Sequence, residues 1–245
     1  MSFLVSAGVQ TNEVDRTNII PATSTSIGAY AGQFRKGPIG EAVLISSEKE
    51  LATRFGAPTN PNALDAASFF TAASFLRYGN ALWVSRANTS GAKNAQAGGV
   101  NAARSIPNDD EFIRLNAFPT NHDGGVWLDQ AVFARTAGAF GNSLRVEFAH
   151  GDYVGFSNTA YDQQFTNEAG TSTFAAARGI VNDELNVIVI DQDGEITGTP
   201  GTILETFAGV SVLSDAKADD GANNYVVDVI LARSEYIYIS EEGFK

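Results

Sequence analysis

The chain has 245 residues, no cysteine and a net charge of −12. Its length suits one large domain or two ordinary ones, and the lack of cysteine excludes disulfides, thiolate metal sites and a cysteine nucleophile. No apolar run approaches the roughly 18 residues of a membrane helix, and the first residues lack the pattern of a secretory signal. The acidic excess lies in residues 150–245, with sixteen acidic and four basic residues. Such a region repels phosphate backbones, and a solvated outer surface is the simplest interpretation.

The N-terminal segment carries no helix signal. The stretch GVQTNEVD alternates through Val9, Thr11 and Glu13 without producing an apolar face on either side. A strand of this kind gains little stability from its own chain. The pattern fits an arm that pairs with another sheet and fits a frayed terminus equally well.

The next segment predicts a compact β-β-α-α-β unit. A strand over 24–34 leads into a turn at Gly37 and Pro38, and a short buried strand follows over 42–46. Ser47 and Glu50 form a capping box that begins a helix, which is expected to end at Gly56. A second helix over 63–78 and an apolar strand over 81–87 complete the unit.

The second helix has two different sides in the sequence pattern. Its core side carries apolar residues at helical spacing: Phe69, Ala73 and Leu76, widened by Ala66 and Phe70. Its opposite side carries small polar residues: Ser68, Thr71 and Ser74. Small residues on both sides let a helix pack closely between two neighbours.

The rest of the sequence predicts a β-rich domain with little helix. Residues 88–104 are small and polar, which indicates a linker and a domain boundary. Apolar runs separated by turn signals then predict the following strands: 111–118, 126–135, 143–150, 184–191, 202–210 and 225–232. The polar residues 153–180 predict a surface excursion. The predicted fold class is therefore α+β, a small β-β-α-α-β unit with an extended N-terminal arm and a β-rich domain.

The glycine-rich stretch TSTSIGAYAGQFRKGPIG (23–40) raises the question of a phosphate site. A P-loop needs Gly-x4-Gly-Lys-Ser/Thr, and a dinucleotide site needs Gly-x-Gly-x-x-Gly at the start of a helix. The stretch matches neither, and Pro38 turns the chain where a helix should begin. We favour a strand whose glycines allow another backbone to approach closely.

Few other residues are candidates for chemistry. His122 and His150 have no local motif of a nucleophilic triad around them. The stretch DQDGEIT (191–197) resembles only the opening of a calcium loop, because Ile196 and Thr202 stand where a glycine and a glutamate are needed. A β-turn is therefore favoured there. The sequence predicts no catalytic, cofactor-binding or metal-binding residue, no cofactor and no enzyme activity.

Several stretches nevertheless stand in a recognisable order. SAGVQTNEVD comes first, then the strand with its Gly37-Pro38 turn, the helix ending in Phe55-Gly56, and YGN followed by a strand with Val84 and Arg86. GNSLRVEFA and VIVIDQDGEITGTPGTILETFAGVS come later. Together they resemble the N-terminal region of contractile tail sheath proteins of myovirus-type phages. One departure is an alanine where the family's Ser-Pro-Gly-Val-like arm has proline.

The resemblance implies a structural subunit that polymerises in stacked hexameric rings around an inner tail tube. Contraction would drive the tube through the host envelope, with its free energy coming from contacts between subunits. The implied partners are other copies of the chain, the tube protein, and baseplate and tail terminator proteins, without direct nucleic-acid contact or membrane insertion. The implied location is the virion tail, assembled in the host cytoplasm.

The resemblance also implies a division of the chain. Residues 1–17 would form an inter-subunit arm, 18–87 part of the inner sheath domain, 88–104 a linker, and 105–245 an outer insertion domain. Gly37 and Pro38 would form a structural turn of the inner domain. The arm residues expected to pair with a neighbouring sheet are Val5, Gly8, Val9, Thr11 and Glu13.

Other interpretations stay open at this point. A sheath subunit of a related injection machine, such as a pyocin, a type VI secretion system or an extracellular contractile system, fits the same motifs. A monomeric β-rich surface module is a further alternative. Sheath proteins of this kind continue well beyond this length, so the sequence is expected to be a fragment of a longer sheath protein or a short form.

Overall fold

The computed structural model describes residues 27–60, 62–88, 91–97, 103–117, 132–150 and 156–241. These residues form three small sheets of three strands each, together with six α-helices. This mixed architecture agrees with the predicted α+β class. Within these ranges, no helix has both the length and the hydropathy of a membrane span.

Sheet 1 contains the first three strands, in the order β1-β3-β2. Its members and the helices between them are β1 (Ile27–Gly32), β2 (Ala42–Ile45), α1 (Glu48–Phe55), α2 (Leu64–Leu76) and β3 (Ala81–Arg86). β3 is the central strand, parallel to β1 and antiparallel to β2. Both helices pack on one face of the sheet, where their apolar side chains and those of β3 form one core cluster.

The start of α1 follows the predicted capping box with one difference. The Ser47 side chain accepts a hydrogen bond from Glu50 N, which satisfies one of the free donors of the first turn. The Glu50 carboxylate accepts from the backbone N and the hydroxyl of Ser46, not from the cap residue itself. Gly56 ends the helix with a φ of 78°.

The two faces of sheet 1 differ in burial. Residues of β1 alternate, with Ile27, Ala29 and Ala31 exposed and the residues between them half-buried. The prediction of a buried β2 is wrong for half of the strand, because Leu44 on the same outward face is 46% exposed. Among the described residues, helices cover one face of this sheet and leave the other exposed.

Sheet 2 has the order β4-β5-β9, and both of its strand pairs are antiparallel. Its strands are β4 (Asn94–Ala97), β5 (Val132–Ala137) and β9 (Ile237–Ile239). β4 lies within the predicted linker. The Asn94 side chain fixes it there, since the amide donates to Ile106 O and Ala134 O and its oxygen accepts from Ile106 N.

The predicted strand over 111–118 is wrong, because residues Asp109–Ala117 form helix α3. Acidic residues fill the first turn, where the helix dipole favours negative charge. The side-chain oxygen of Asn108 accepts a hydrogen bond from Glu111 N. Phe112 and Leu115 lie one turn apart, and both are buried, so helical spacing prevails over apparent alternation.

The predicted strand over 225–232 is also wrong, because Val226–Arg233 form helix α6. Valine and isoleucine favour strands by propensity. Here Val226, Val229 and Ile230 are buried at i, i+3 and i+4, which is the period of a helix face. The packing of that face against β8 and β9 outweighs the propensity.

Sheet 3 is an antiparallel meander of β6 (Leu144–His150), β7 (Glu184–Asp191) and β8 (Thr202–Ser211). Its three strands agree closely with the predicted ones. β7 is the central strand and is buried over almost its whole length. The predicted surface excursion contains two one-turn helices, α4 (Thr159–Asp162) and α5 (Thr173–Ala176), within its described residues.

Candidate subunit-contact site

The structure describes the predicted turn but not the predicted arm. The arm residues Val5, Gly8, Val9, Thr11 and Glu13 lie outside the described residues, as does His122. Gly37 and Pro38 lie in the β1–β2 connector, which we define as residues 33–41. The geometry of this connector answers the question raised by the glycine-rich stretch.

Gly37 is required by both its conformation and its neighbours. Its φ is 106°, a region that side-chain-bearing residues rarely adopt. A Cβ atom at this position would stand 2.8 Å from Phe55 Cδ1 and 3.1 Å from the carbonyl oxygen of Arg54. The glycine therefore lets the connector pass directly over the end of α1.

Arg86, the last residue of β3, binds the connector through its side chain. It is 9% exposed, and its guanidinium donates to three backbone carbonyls: Phe34 O at 3.0 Å, Gly37 O at 3.2 Å and Ala137 O at 2.9 Å. Burial lowers the pKa of Arg86 from its ordinary value. This side chain, at the end of β3 in sheet 1, therefore links the connector to β5 in sheet 2.

The connector also contacts residues far along the chain. Arg35 Nη2 donates to Glu195 O at 2.6 Å, and Ile39 N donates to Pro107 O at 2.9 Å. Lys36 Nζ lies 3.9 Å from the Glu235 carboxylate and 5.3 Å from the ring centre of Tyr236. Burial lowers the pKa of Lys36, and the Glu235 charge opposes that shift. The glycine-rich stretch therefore joins sheet 1 to the rest of the described chain.

A cavity of about 510 Å³ opens beside the connector, between α1 and α3. Its walls mix both charges, including Lys36, Arg54 and Asp109. The Tyr238 hydroxyl donates to the Asp109 carboxylate, and Arg135 lies 4.7 Å from the centre of the Tyr238 ring. Burial, with that hydrogen bond, raises the pKa of Tyr238. The tyrosine fixes the cavity wall by donating this hydrogen bond.

The turn after β7 is built around a buried carboxylate. Asp191 is fully buried and accepts hydrogen bonds from the Ser143 hydroxyl, from Ile196 N, and from both N and Oγ1 of Thr197. Three of these four bonds come from residues 196 and 197, within five or six positions of Asp191, so the carboxylate closes the turn between β7 and β8. Among the described residues, no group of three or more potential metal ligands comes together.

Sheet 1 has two further features that bear on contacts between chains. β1 and β2 are its outer strands, and among the described residues each pairs on one side only. Large apolar side chains also lie on its outward face, where Ile27 is 64% exposed and Trp83 is 43% exposed. The sequence alone did not show this exposure, because an apolar strand does not reveal which of its faces stays uncovered.

Comparison of the sequence with known proteins gives matches of one kind. No family model matches the chain. The tail sheath protein of Salmonella phage ViI is 28% identical over 203 residues, which cover 82% of this chain and 28% of that protein. The tail sheath protein of Enterobacteria phage T4 is 36% identical over 107 residues, 42% of this chain and 16% of that protein.

A third match, at 39% identity over 79 residues, is the tail sheath protein of Vibrio phage KVP40; it covers 32% of this chain and 11% of that protein. The predicted resemblance is thus confirmed, and the chain has homologues among the structural proteins of phage tails. More particularly, all three of these homologues are tail sheath proteins of myoviruses. The chain spans less than a third of the length of these curated relatives.

Proposed function

We propose that the chain is part of a structural subunit of a contractile tail sheath, which polymerises around an inner tail tube and drives it through the host envelope by contracting. The observation that carries this proposal is the similarity to the ViI tail sheath protein along 82% of the chain. Two other tail sheath proteins match shorter stretches at higher identity.

In the part of the chain that the structure describes, the outer strands of sheet 1 pair on one side only, and this supports a polymerising role. Unpaired strand edges are templates for a strand from another chain, and main-chain pairing of this kind tolerates movement of the bodies that it joins. We propose that residues 1–17 form the arm that adds such a strand in a neighbouring copy, with Val5, Gly8, Val9, Thr11 and Glu13 in the pairing segment. Residues 18–87 would then belong to the inner domain.

The charge distribution supports a particular orientation of the subunit in the sheath. The acidic excess lies in residues 150–245, which include β7, β8 and α6. A strongly acidic surface stays hydrated, so we place residues 105–245 on the outside of the sheath and residues 18–87 toward the tube. The other proposed partners are baseplate and tail terminator proteins, and the proposed location is the virion tail after assembly in the host cytoplasm.

The arm can be tested by deletion. Removing residues 2–17 from the full-length protein is expected to abolish polymerisation while the subunit keeps its fold, because the arm would pair outside its own chain. Negative-stain electron microscopy reports the assembly, and thermal unfolding reports the fold. A variant with residues 2–17 replaced by a Gly/Ser segment of equal length controls for the loss of mass and is expected to fail as well. Sheaths of normal length from either variant would contradict the proposal.

A further inference from the structure

The outward face of sheet 1 is uncharged throughout. The central row of this face crosses the three strands through Ala29, Trp83 and Leu44, which the register places side by side. The rows on either side contribute the remaining outward residues: Ile27, Ala31, Ala42, Ala81 and Ser85. Three of these eight side chains are large, apolar and more than 40% exposed. A sheet face that meets only water normally carries polar residues, so this face has the composition of a surface that becomes covered.

Helix α2 presents a second uncharged surface on the opposite side of the same unit. Its outer stripe runs through Leu64, Ala67, Phe70, Thr71 and Ser74, all of them exposed. The prediction that Phe70 widens the core side is wrong, because its side chain is 51% exposed. Ser68, predicted on the outer side, is buried and accepts a hydrogen bond from Gln33 N. Apart from Asp65 in its first turn, α2 carries only apolar and small hydroxyl side chains around its circumference, which is typical of a helix that is buried on all sides.

The outer stripe is ready for burial because its hydroxyls already have partners. Thr71 Oγ1 donates to Ala67 O and Ser74 Oγ donates to Phe70 O, each at 2.7 Å. A hydroxyl that bonds back to its own helix loses no partner when water leaves. The stripe therefore behaves as a surface of small, effectively apolar side chains around Phe70.

The two sides of α2 repeat one motif with a shift of one residue. On the inner side Ala66, Phe69 and Ala73 stand at i, i+3 and i+7, and they are buried. On the outer side Ala67, Phe70 and Ser74 have the same spacing and nearly the same sizes. The inner set packs in the core between α2 and sheet 1, with Phe69 and Ala73 in one cluster with Leu82 and Val84. The outer set thus has the shape of a surface that already packs on a sheet.

We propose that the outer stripe of α2 packs on the outward face of sheet 1 in a second copy of this chain. Both surfaces are uncharged, and the alanines around Trp83 leave room for the ridge formed by Leu64 and Phe70. The two surfaces lie on opposite sides of one unit, so the contact is head-to-tail and leads to rings or open helical assemblies instead of closed pairs. The contact deepens the proposed sheath role, and rests on it, by naming surfaces through which subunits would meet.

Three alanine-to-glutamate variants of the 245-residue chain test the contact. Ala67→Glu charges the helix stripe, Ala29→Glu charges the sheet face, and Ala176→Glu is the matched control at an exposed position of α5. We expect the wild type and the control to associate without limit as concentration rises. Each face variant is expected to bind itself at least about 100-fold more weakly, because a buried unpaired charge is costly. Sedimentation velocity measures this, and thermal unfolding verifies that each variant is folded.

Mixing the two face variants gives the sharper result. Ala67→Glu keeps an intact sheet face and Ala29→Glu keeps an intact helix stripe, so the mixture is expected to form a one-to-one complex that neither variant forms alone. A wild-type chain that stays monomeric would overturn the proposal and indicate that another partner covers both surfaces. An Ala29→Glu chain that still pairs with itself through α2 would also overturn it. The second result leaves the sheath role untouched, because the wild-type chain would still assemble, whereas a wild-type chain that stays monomeric contradicts the sheath role as well.

Discussion

Replacing Arg86 with methionine is expected to lower the free energy of unfolding by about 3 kcal/mol, because buried carbonyls lose their donors. The side chain is nearly buried and donates to Phe34, Gly37 and Ala137. Methionine has a similar length and no charge, so the change removes the hydrogen bonds while leaving little empty space. Unfolding in urea measures the difference.

Arg77 provides the matched control for this prediction. It is exposed at the end of α2, so Arg77→Met is expected to stay within about 0.5 kcal/mol of the wild type. If Arg86→Met proves no more destabilising than Arg77→Met, the guanidinium does not hold the connector. The description of the glycine-rich stretch as a joint between sheets would then be wrong.

Replacing Asp191 with asparagine is expected to lower the free energy of unfolding by about 3 kcal/mol at neutral pH. The carboxylate accepts four hydrogen bonds from Ser143, Ile196 and Thr197, and an amide would turn a donor toward some of these donors. Asp193→Asn is the control, because Asp193 lies in the same turn and is exposed. Equal losses for the two variants would show that the turn does not depend on the buried carboxylate.

This effect is expected to depend on pH. Burial alone raises the pKa of Asp191, but the hydrogen bonds from Ser143, Thr197 and Ile196 outweigh it and hold the pKa below its ordinary value. A lowered pKa contributes stability that is complete above the unfolded pKa of about 4 and is lost as the pH falls through the folded value. The difference in the free energy of unfolding between the wild type and Asp191→Asn should therefore become smaller as the pH is lowered below about 4. The same sign applies to Asp183, whose pKa is also lowered.

The helices and strands that could be predicted from the sequence are those whose ends are set by a few adjacent residues. Ser47 and Gly56 mark the ends of α1 because capping depends on a few adjacent residues. The strands of sheet 3 are long and lie between clear turn signals. Local patterns of this kind survive in any tertiary context, so the α+β class could be predicted from them.

The wrong predictions have a tertiary cause. α6 is rich in valine and isoleucine, and only its packing on β8 and β9 selects the helix. Phe70 is exposed because sheet 1 packs on the side of α2 that carries Phe69. The sequence of the helix does not show which of its two aromatic sides meets the sheet. The bonds of Arg86 join residues 49 to 52 positions apart in the sequence. The motif with Val84 and Arg86 marked the arginine, but no local pattern shows where its guanidinium points.

The most direct measurement of the central claim is negative-stain electron microscopy of the purified full-length protein. A sheath subunit is expected to form tubes or hexameric rings, and the predicted result is assemblies of uniform diameter that lengthen with protein concentration. Protein that stays monomeric at high concentration, with a normal thermal unfolding transition, would contradict the sheath role. That result would favour a monomeric β-rich module instead.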